Sequence, residues 1–299
     1  MAFVGINWGS TNLRAYLFDD AGTVRDEFFE PSGIAGLGRE GMVAVMERLA
    51  QRWPVRGAVY ASGMIGSNIG WEEAPYAQAP AGLADIVRKA IPATIGPVEL
   101  RIIPGIRCTR SFDEGPDILR GEEIELFGLA ARHPDLDGLV ALPGTHTKWA
   151  CFRDGRIIEF FTSMSGEMFD RLTAGGLLAS IVDGEANDGP AFLDGVRNGC
   201  ERKLGLGTLL FGARARVICG QLARPDAASY LRGLLIGSEI ADAIAIHPDV
   251  ASRTLPLIGS GKVCHLYARA LESVGVTGKP VDSRVACLAG FNALHRAAQ

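Results

Sequence analysis

One pattern constrains this chain more than any other: strand, small-residue turn, strand, turn, strand occurs twice. The first copy reads 3–7 as a strand, Gly9-Ser10-Thr11-Asn12 as a turn and 13–19 as a strand, and Asp20-Ala21-Gly22 turns into a third strand near 23–28. The second reads 139–142 as a strand, Pro143-Gly144-Thr145-His146-Thr147 as a turn, 148–152 as a strand, Asp154-Gly155 as a hairpin turn and 156–161 as a strand. Turns this short leave no room for a crossover helix, so each copy is an antiparallel meander. A repeated unit of this kind implies two related lobes. The length of 299 residues agrees, because it lies near the limit of a single hydrophobic core. The boundary falls near residue 133, giving lobes 1–133 and 134–299, with the last helix packing back onto the first lobe.

Between the meanders, apolar residues at helical spacing (Met42, Val45, Met46, Leu49) predict a helix over 39–53 that Pro54 stops. A buried strand at 57–61 runs into the glycine-rich loop Ser62-Gly63-Met64-Ile65-Gly66-Ser67. The pattern then gives a helix over 83–91, a strand over 98–103, and a helix over 118–132 opened by Pro116-Asp117. After the second meander the chain reads as mostly helical, over 169–178, 191–204, 208–222 and 227–245. A strand at 254–258 meets Gly259-Ser260-Gly261. A helix over 263–273, a short strand at Pro280-Val281 and a helix over 284–297 follow.

Composition narrows the function. The 30 Lys+Arg and 34 Asp+Glu give a net charge of −4, which argues against nucleic acid as the main partner. The six cysteines form no Cys-x-x-Cys and no zinc spacing, and they read as core residues in a reducing compartment. The first residues lack the features of a secretory signal, and no apolar run reaches membrane-span length, so a soluble cytoplasmic protein is expected.

The two Gly/Ser/Thr turns suggest a phosphate clamp, because small residues let backbone N–H groups point at anionic oxygens. Each turn alone is also an ordinary β-turn. Gly259-Ser260-Gly261, opening a helix after a buried strand, allows close approach to a nucleotide. No P-loop is present: neither Gly261-Lys262 nor Gly278-Lys279 has the required upstream glycine or following hydroxyl residue. A Gly-x-Gly-x-x-Gly opening and a Gly-x-Ser-x-Gly elbow are also absent.

Trp8-Gly9-Ser10-Thr11-Asn12-Leu13-Arg14-Ala15, Gly63-Met64-Ile65-Gly66-Ser67 with Gly70-Trp71 and Ala74-Pro75-Tyr76, and Ile103-Pro104-Gly105 form a specific set. Arg120-Gly121-Glu122-Glu123, Leu142 to Trp149, Met164-Ser165-Gly166-Glu167 and Gly233 to Glu239 extend it. The set resembles the 2-dehydro-3-deoxygalactonokinase family of the acetate and sugar kinase, heat-shock cognate and actin superfamily. The resemblance implies an α/β, two-lobed actin-like ATPase (ribonuclease H-like) fold, each lobe a mixed sheet with an antiparallel meander flanked by helices. It implies ATP-dependent phosphorylation of the terminal hydroxyl of a 2-keto-3-deoxy sugar acid. Gly9, Ser10, Thr11, Asn12 and Arg14 then take the first phosphate-loop role, and Gly144, Thr145, His146, Thr147 and Lys148 the second. Arg14 and Lys148 lie on amphipathic strands, where a solvated cation is the other reading. Gly259, Ser260 and Gly261 would line the adenosine site, which places that site and the second loop in 134–299. The first loop and most of the sugar-acid site fall in 1–133. The superfamily usually holds Mg²⁺ through an Asp at the head of the first loop; here that position is Asn7, a poorer ligand for a hard cation.

Phosphoryl transfer needs a group to orient or deprotonate the acceptor hydroxyl. Four acidic residues lie in motifs, Asp117, Glu122, Glu123 and Glu167. Glu122 is the first candidate and Glu167 the second; a solvated helix start favoured by the dipole is the other reading of Glu122 and Glu123. The substrate carboxylate calls for Arg107, Arg120 and the N–H groups of Gly63, Met64, Ile65, Gly66 and Ser67. Trp71 and Tyr76 either stack on the sugar chain or simply pack. The implied partners are the sugar acid and ATP, with neither nucleic acid nor membrane, and a homodimer as the assembly. Two alternatives stay open: an exopolyphosphatase-like phosphohydrolase on the same fold, and a non-catalytic nucleotide or sugar sensor.

Overall fold

The computed structural model describes residues 2–54 and 57–299. The chain divides into two compact units: one takes in the chain up to Asp137 with Phe152–Phe160 and Ser283–Gln299, the other Gly138–Cys151 with Phe161–Asp282.

The first unit opens with β1 (Phe3–Trp8), β2 (Leu13–Phe18) and β3 (Val24–Glu30), followed by α1 (Arg39–Arg52) and β4 (Val59–Gly63). Next come β5 (Tyr76–Gln78), α2 (Leu83–Lys89), β6 (Ile91–Ile95), β7 (Val98–Ile102), β8 (Gly105–Thr109), β9 (Pro116–Leu119) and α3 (Glu122–Arg132). The second meander is β10 (Gly138–Leu142), β11 (Thr147–Arg153) and β12 (Arg156–Ser163), and the hairpin tip 152–160 clusters with the first unit. The second unit continues through α4 (Ser165–Ala174), α5 (Gly176–Ala179), α6 (Pro190–Glu201), α7 (Leu206–Ile218), α8 (Ala227–Ile246), β13 (Thr254–Gly259), α9 (Gly261–Ser273) and β14 (Thr277–Asp282). Helix α10 (Ser283–Ala297) belongs to the first unit.

The two main sheets run β3-β2-β1-β4-β7-β6 and β12-β11-β10-β13-β14. In the first, β1 pairs antiparallel with β2 and parallel with β4, and β4 pairs parallel with β7. In the second, β13 lies parallel to both β10 and β14. A meander extended by two parallel strands therefore occurs in both units. This is the ribonuclease H-like sheet that the actin-type ATPase fold carries twice. Among the described residues no helix is long and apolar enough to cross a membrane.

Several predicted elements change, among them the helices expected over 191–204 and 208–222, which end at Glu201 and Ile218. The pair Pro116-Asp117 opens a strand, β9, and the helix starts only at Glu122, because Gly121 at φ +108° turns the chain first. The helix expected over 83–91 ends at Lys89, where Ile91 begins β6. The helix expected over 169–178 starts earlier, at Ser165, and is broken at Gly175 into α4 and α5.

Packing explains many of the glycines. β1 is buried on both faces: Val4, Ile6 and Trp8 join the core that includes Met42, Val45, Met46 and Leu49 of α1. Gly5 faces the other way, where a Cβ would lie 2.4 Å from the Phe291 ring of α10. Helices meet backbone to backbone in each unit. A Cβ on Gly128 of α3 would fall 1.8 Å from the Ala286 carbonyl oxygen, and one on Gly290 of α10 would fall 1.9 Å from that of Ile124. On α6 and α8, a Cβ at Gly195, Gly199, Gly233 or Gly237 would fall 2.0–2.4 Å from carbonyl oxygens of the facing helix. Gly233→Ala should therefore destabilise by roughly 3 kcal/mol through overpacking, although alanine is the better helix former. Urea denaturation with an unchanged midpoint would contradict this.

Candidate active site

In the first unit, the turn between β1 and β2 is closed by Gly9 N–H donating to Asn12 O (3.0 Å). The Gly9 and Ser10 carbonyls accept from Ile34 and Ala35 N–H (3.0 and 3.2 Å). Because a trans peptide points its C=O and N–H in opposite directions, the N–H groups of Ser10 and Thr11 face away from that contact. The turn thus has the donor geometry of an anion site. Only glycine fits at 33, where a Cβ would lie 2.2 Å from the Ser10 backbone. Arg14 is exposed and pairs across the ladder with Asn7. The Asn7 side chain hydrogen-bonds the buried Cys287 thiol, whose pKa burial pushes far up.

The end of β4 and the start of α3 are joined by two left-handed glycines. Gly63 sits at φ +98°, where a Cβ would fall 2.6 Å from Trp8 O, and a Cβ on Gly121 would lie 3.3 Å from Gly63 Cα. Glu123 locks this crossing. It is fully buried, takes a hydrogen bond from Ser62 Oγ (2.6 Å) on Oε1, and accepts from Gly121 N–H on Oε2. Burial pushes its carboxyl from the ordinary 4.5 up to about 7. The folded state then keeps a proton that the unfolded chain releases near pH 4.5. Between these values it binds more protons than the unfolded state, so stability falls as pH rises through the window. The full difference is on the order of 3 kcal/mol. Glu123→Gln, whose carbonyl can take the Gly121 N–H and whose amide can face Ser62, should flatten that decline. Urea unfolding at a series of pH values between 4.5 and 8 reads this, and parallel curves for both proteins would refute it.

Arg120 packs against Gly66 of the loop. Its guanidinium lies 4.3 Å from the Tyr76 ring centroid, and its Nη2 donates to Ala74 O (2.8 Å). Nη1 is buried with no partner among the described residues. A Cβ on Gly66 would lie 2.8 Å from that Nη1, so glycine here admits the guanidinium. Glu122, at the first position of α3, accepts the Arg120 backbone N–H on Oε2 (2.9 Å). Gly63, Met64, Ile65, Gly66, Ser67, Tyr76, Arg120 and Glu122 thus form one neighbourhood. Trp71 N–H donates to Ile65 O of this loop (2.9 Å), while its ring lies against Arg39, 3.9 Å from guanidinium to ring centroid. Arg107 is exposed on β8 and donates to Gln78 Oε1 (3.0 Å).

In the second unit, α4 presses on the second loop. A Cβ on Gly166 would fall 2.2 Å from Gly144 O, and Glu167 N–H donates to Thr145 O (2.9 Å). With that carbonyl turned to α4, the His146 N–H points the other way. The His146 ring Nε2 meets Glu167 Oε2 at 2.6 Å, and this contact holds the Glu167 carboxyl below its ordinary range. Lys148 is buried and donates to Thr162 Oγ1 (2.9 Å). Gly259 closes on the same loop, where a Cβ would lie 3.1 Å from Pro143 O, and Ser260 and Gly261 begin α9. Among the described residues no group of three or more His, Cys, Asp or Glu is placed to hold a metal. Glu123, one of the acidic candidates and otherwise read as part of a solvated helix start, is instead sealed in the interior. The sequence reading did not single out Ser62, Glu239 or Tyr267; the last two form a buried network behind the second loop.

A duplicated ribonuclease H-like sheet with a small-residue loop at the end of each first strand defines a member of the actin-type ATPase class. A family profile described as 2-keto-3-deoxy-galactonokinase matches residues 7–294, and the chain belongs to that family. The chain is 31% identical over 297 residues to the 2-dehydro-3-deoxygalactonokinase of Escherichia coli (strain K12), covering 99% of this chain and 98% of that protein. It is 34% identical over 300 residues to "Probable 2-dehydro-3-deoxygalactonokinase DgoK1" of Rhizobium meliloti (strain 1021), covering 99% and 97%. A crystal structure of "a putative 2-dehydro-3-deoxygalactonokinase protein from Sinorhizobium meliloti" superposes with a TM-score of 0.91 at 33% identity, covering 99% of this chain and 98% of that one.

Proposed function

We propose that the protein transfers a phosphoryl group from ATP to the terminal, 6-hydroxyl of 2-dehydro-3-deoxy-D-galactonate, giving the 6-phosphate. Family membership supports the kinase class. The observation that carries the substrate assignment is Arg120, whose buried Nη1 has no partner beside a loop of peptide N–H groups. A guanidinium in that state suits a carboxylate, which it can take in a two-pronged hydrogen bond. ATP, when bound with Mg²⁺, supplies the phosphoryl group and part of the charge neutralisation.

The chain's own residues divide the remaining tasks. Ser10 and Thr11 N–H, with Asn12 and Arg14, take phosphate in the first unit. Gly144 to Thr147 do so in the second, with Lys148 nearby. Gly259 to Gly261 receive the nucleoside. Gly63 to Ser67, Tyr76 and Arg120 orient the sugar acid, and Glu122 holds the acceptor hydroxyl and receives its proton. Glu122 is favoured over Glu167 because the His146 contact lowers the basicity of the latter. Cytoplasmic residence and a homodimer belong to the same proposal; the dimer is read by light scattering of the purified protein.

Asn7 stands where a carboxylate would bind Mg²⁺ more firmly. Asn7→Asp is expected to lower the Mg²⁺ concentration giving half-maximal activity, and an unchanged titration would remove Asn7 from the metal site. The overall reading is tested by one coupled assay with ATP, Mg²⁺ and a panel of 2-keto-3-deoxy acids and simple hexoses. ATP consumption that depends on 2-dehydro-3-deoxygalactonate supports it. Acceptor-independent phosphate release would make the chain a phosphohydrolase, and binding without turnover would make it a sensor.

A further inference from the structure

Behind the second loop lies a polar network sealed from solvent. The Thr147 hydroxyl, at the first residue of β11, meets the Tyr267 hydroxyl of α9 at 2.8 Å. The same Tyr267 oxygen meets Ser165 Oγ, at the first residue of α4, at 3.1 Å. Two residues along β11, on the same face as Thr147, the Trp149 indole N–H donates to Glu239 Oε1 of α8 at 3.2 Å. The remaining polar neighbours of Glu239 are the hydroxyls of Ser165, Tyr267 and Ser163. Thr147, Trp149, Ser165, Glu239 and Tyr267 are each at most 4% exposed.

No cation stands among these partners. Glu239 Oε2 has no hydrogen-bond partner among the described residues, a position in which an ionised oxygen is strongly disfavoured. Burial pushes the carboxyl pKa up, in agreement. Glu239 therefore joins hydroxyls and an indole in the interior. It lacks the exposure of a proton acceptor for the reaction.

The elements tied together are informative. Thr147 ends the second loop, Ser165 begins the helix whose next residue, Gly166, presses on Gly144, and Tyr267 sits on the helix opened by Gly259-Ser260-Gly261. One hydroxyl, that of Tyr267, bonds β11 and α4 from α9. These are the segments given above to the nucleotide.

We propose that Tyr267 and Glu239 are positioning residues for ATP: they fix the second phosphate loop and the start of α9 in one geometry, so nucleotide binding does not have to order them. This rests on the kinase reading. Their loss should weaken nucleotide binding selectively, because the sugar-acid residues named above lie in the other unit.

The test uses the full chain and three variants. Tyr267→Phe removes a hydroxyl without adding volume, Glu239→Leu removes the acid, and Glu239→Gln keeps its shape as a neutral isostere. Affinity for a non-hydrolysable ATP analogue with Mg²⁺, measured by calorimetry, should fall about tenfold in Tyr267→Phe and in Glu239→Leu. It should stay within about twofold in Glu239→Gln, and the KM for the sugar acid should stay within about twofold in all three. Unchanged analogue affinity in Tyr267→Phe overturns the inference, even if Glu239→Leu does not fold. So does a loss of sugar-acid affinity in step with nucleotide affinity, which a general loosening would produce. A Glu239→Gln as weak as Glu239→Leu also overturns it, since the carboxyl would then act as a charge. A wild-type chain that binds no nucleotide sinks the kinase reading as well, whereas wild-type binding with unaltered variants sinks this inference alone.

Discussion

Glu122→Gln is expected to lower kcat roughly a thousandfold while leaving the affinities for ATP and sugar acid within about twofold. The substitution preserves the side chain's shape, and its carbonyl can still accept the Arg120 backbone N–H that Oε2 takes now. What it removes is a site for the hydroxyl proton. The neighbouring Glu123 cannot take over, because it is fully buried and already bonded to Ser62 and Gly121. Steady-state kinetics with both substrates, and calorimetry for binding, separate these quantities. A kcat within threefold of wild type would reject Glu122 as the proton acceptor.

The second large effect belongs to Arg120. Arg120→Ala should raise the KM for the sugar acid about a hundredfold and leave the KM for ATP nearly unchanged. The estimate follows from removing one partner of a desolvated charge pair, which costs about 3 kcal/mol. Lysine is not a rescue, since a compact ammonium loses both the two-pronged geometry and the stacking on Tyr76. A substrate analogue with the carboxyl reduced to an alcohol supplies the control. It should bind poorly to wild type and lose little further in Arg120→Ala. Equal losses for acid and alcohol would show that Arg120 supports the pocket without reading the charge.

Both predictions draw on parts of the molecule that the sequence exposes to different degrees. The meanders are legible because their turns are too short for any other connection, α1 because its apolar periodicity is sustained, and α8 because its apolar run is too long for a strand. The three-stranded sheet β5-β8-β9 is not, since its strands have three to five residues and too little alternation to register. At β9 a helix-start signal, Pro116-Asp117, points the wrong way, and Gly121 decides the geometry four residues later. The loops that offer N–H groups are readable from small residues. Which carboxylate faces solvent and which is sealed depends on neighbours far along the chain: Glu122 and Glu123 are adjacent, yet Glu123 meets Ser62, 61 residues away. The same distance hides Glu239 and Tyr267, bonded to residues 90 and 120 positions earlier.

The backbone contact between α3 and α10 bears on how the molecule is made. Ser283 Oγ bonds Glu125 Oε1 across 158 residues, and Gly128 and Gly290 bring the two helices together there. During synthesis the first sheet emerges early, but the face that Phe291 covers stays bare until the ribosome has passed the whole second unit. That unit, whose segments lie between residues 138 and 282, can close sooner. The α10-facing side of β1 is thus covered only after the residues of the second unit have been made.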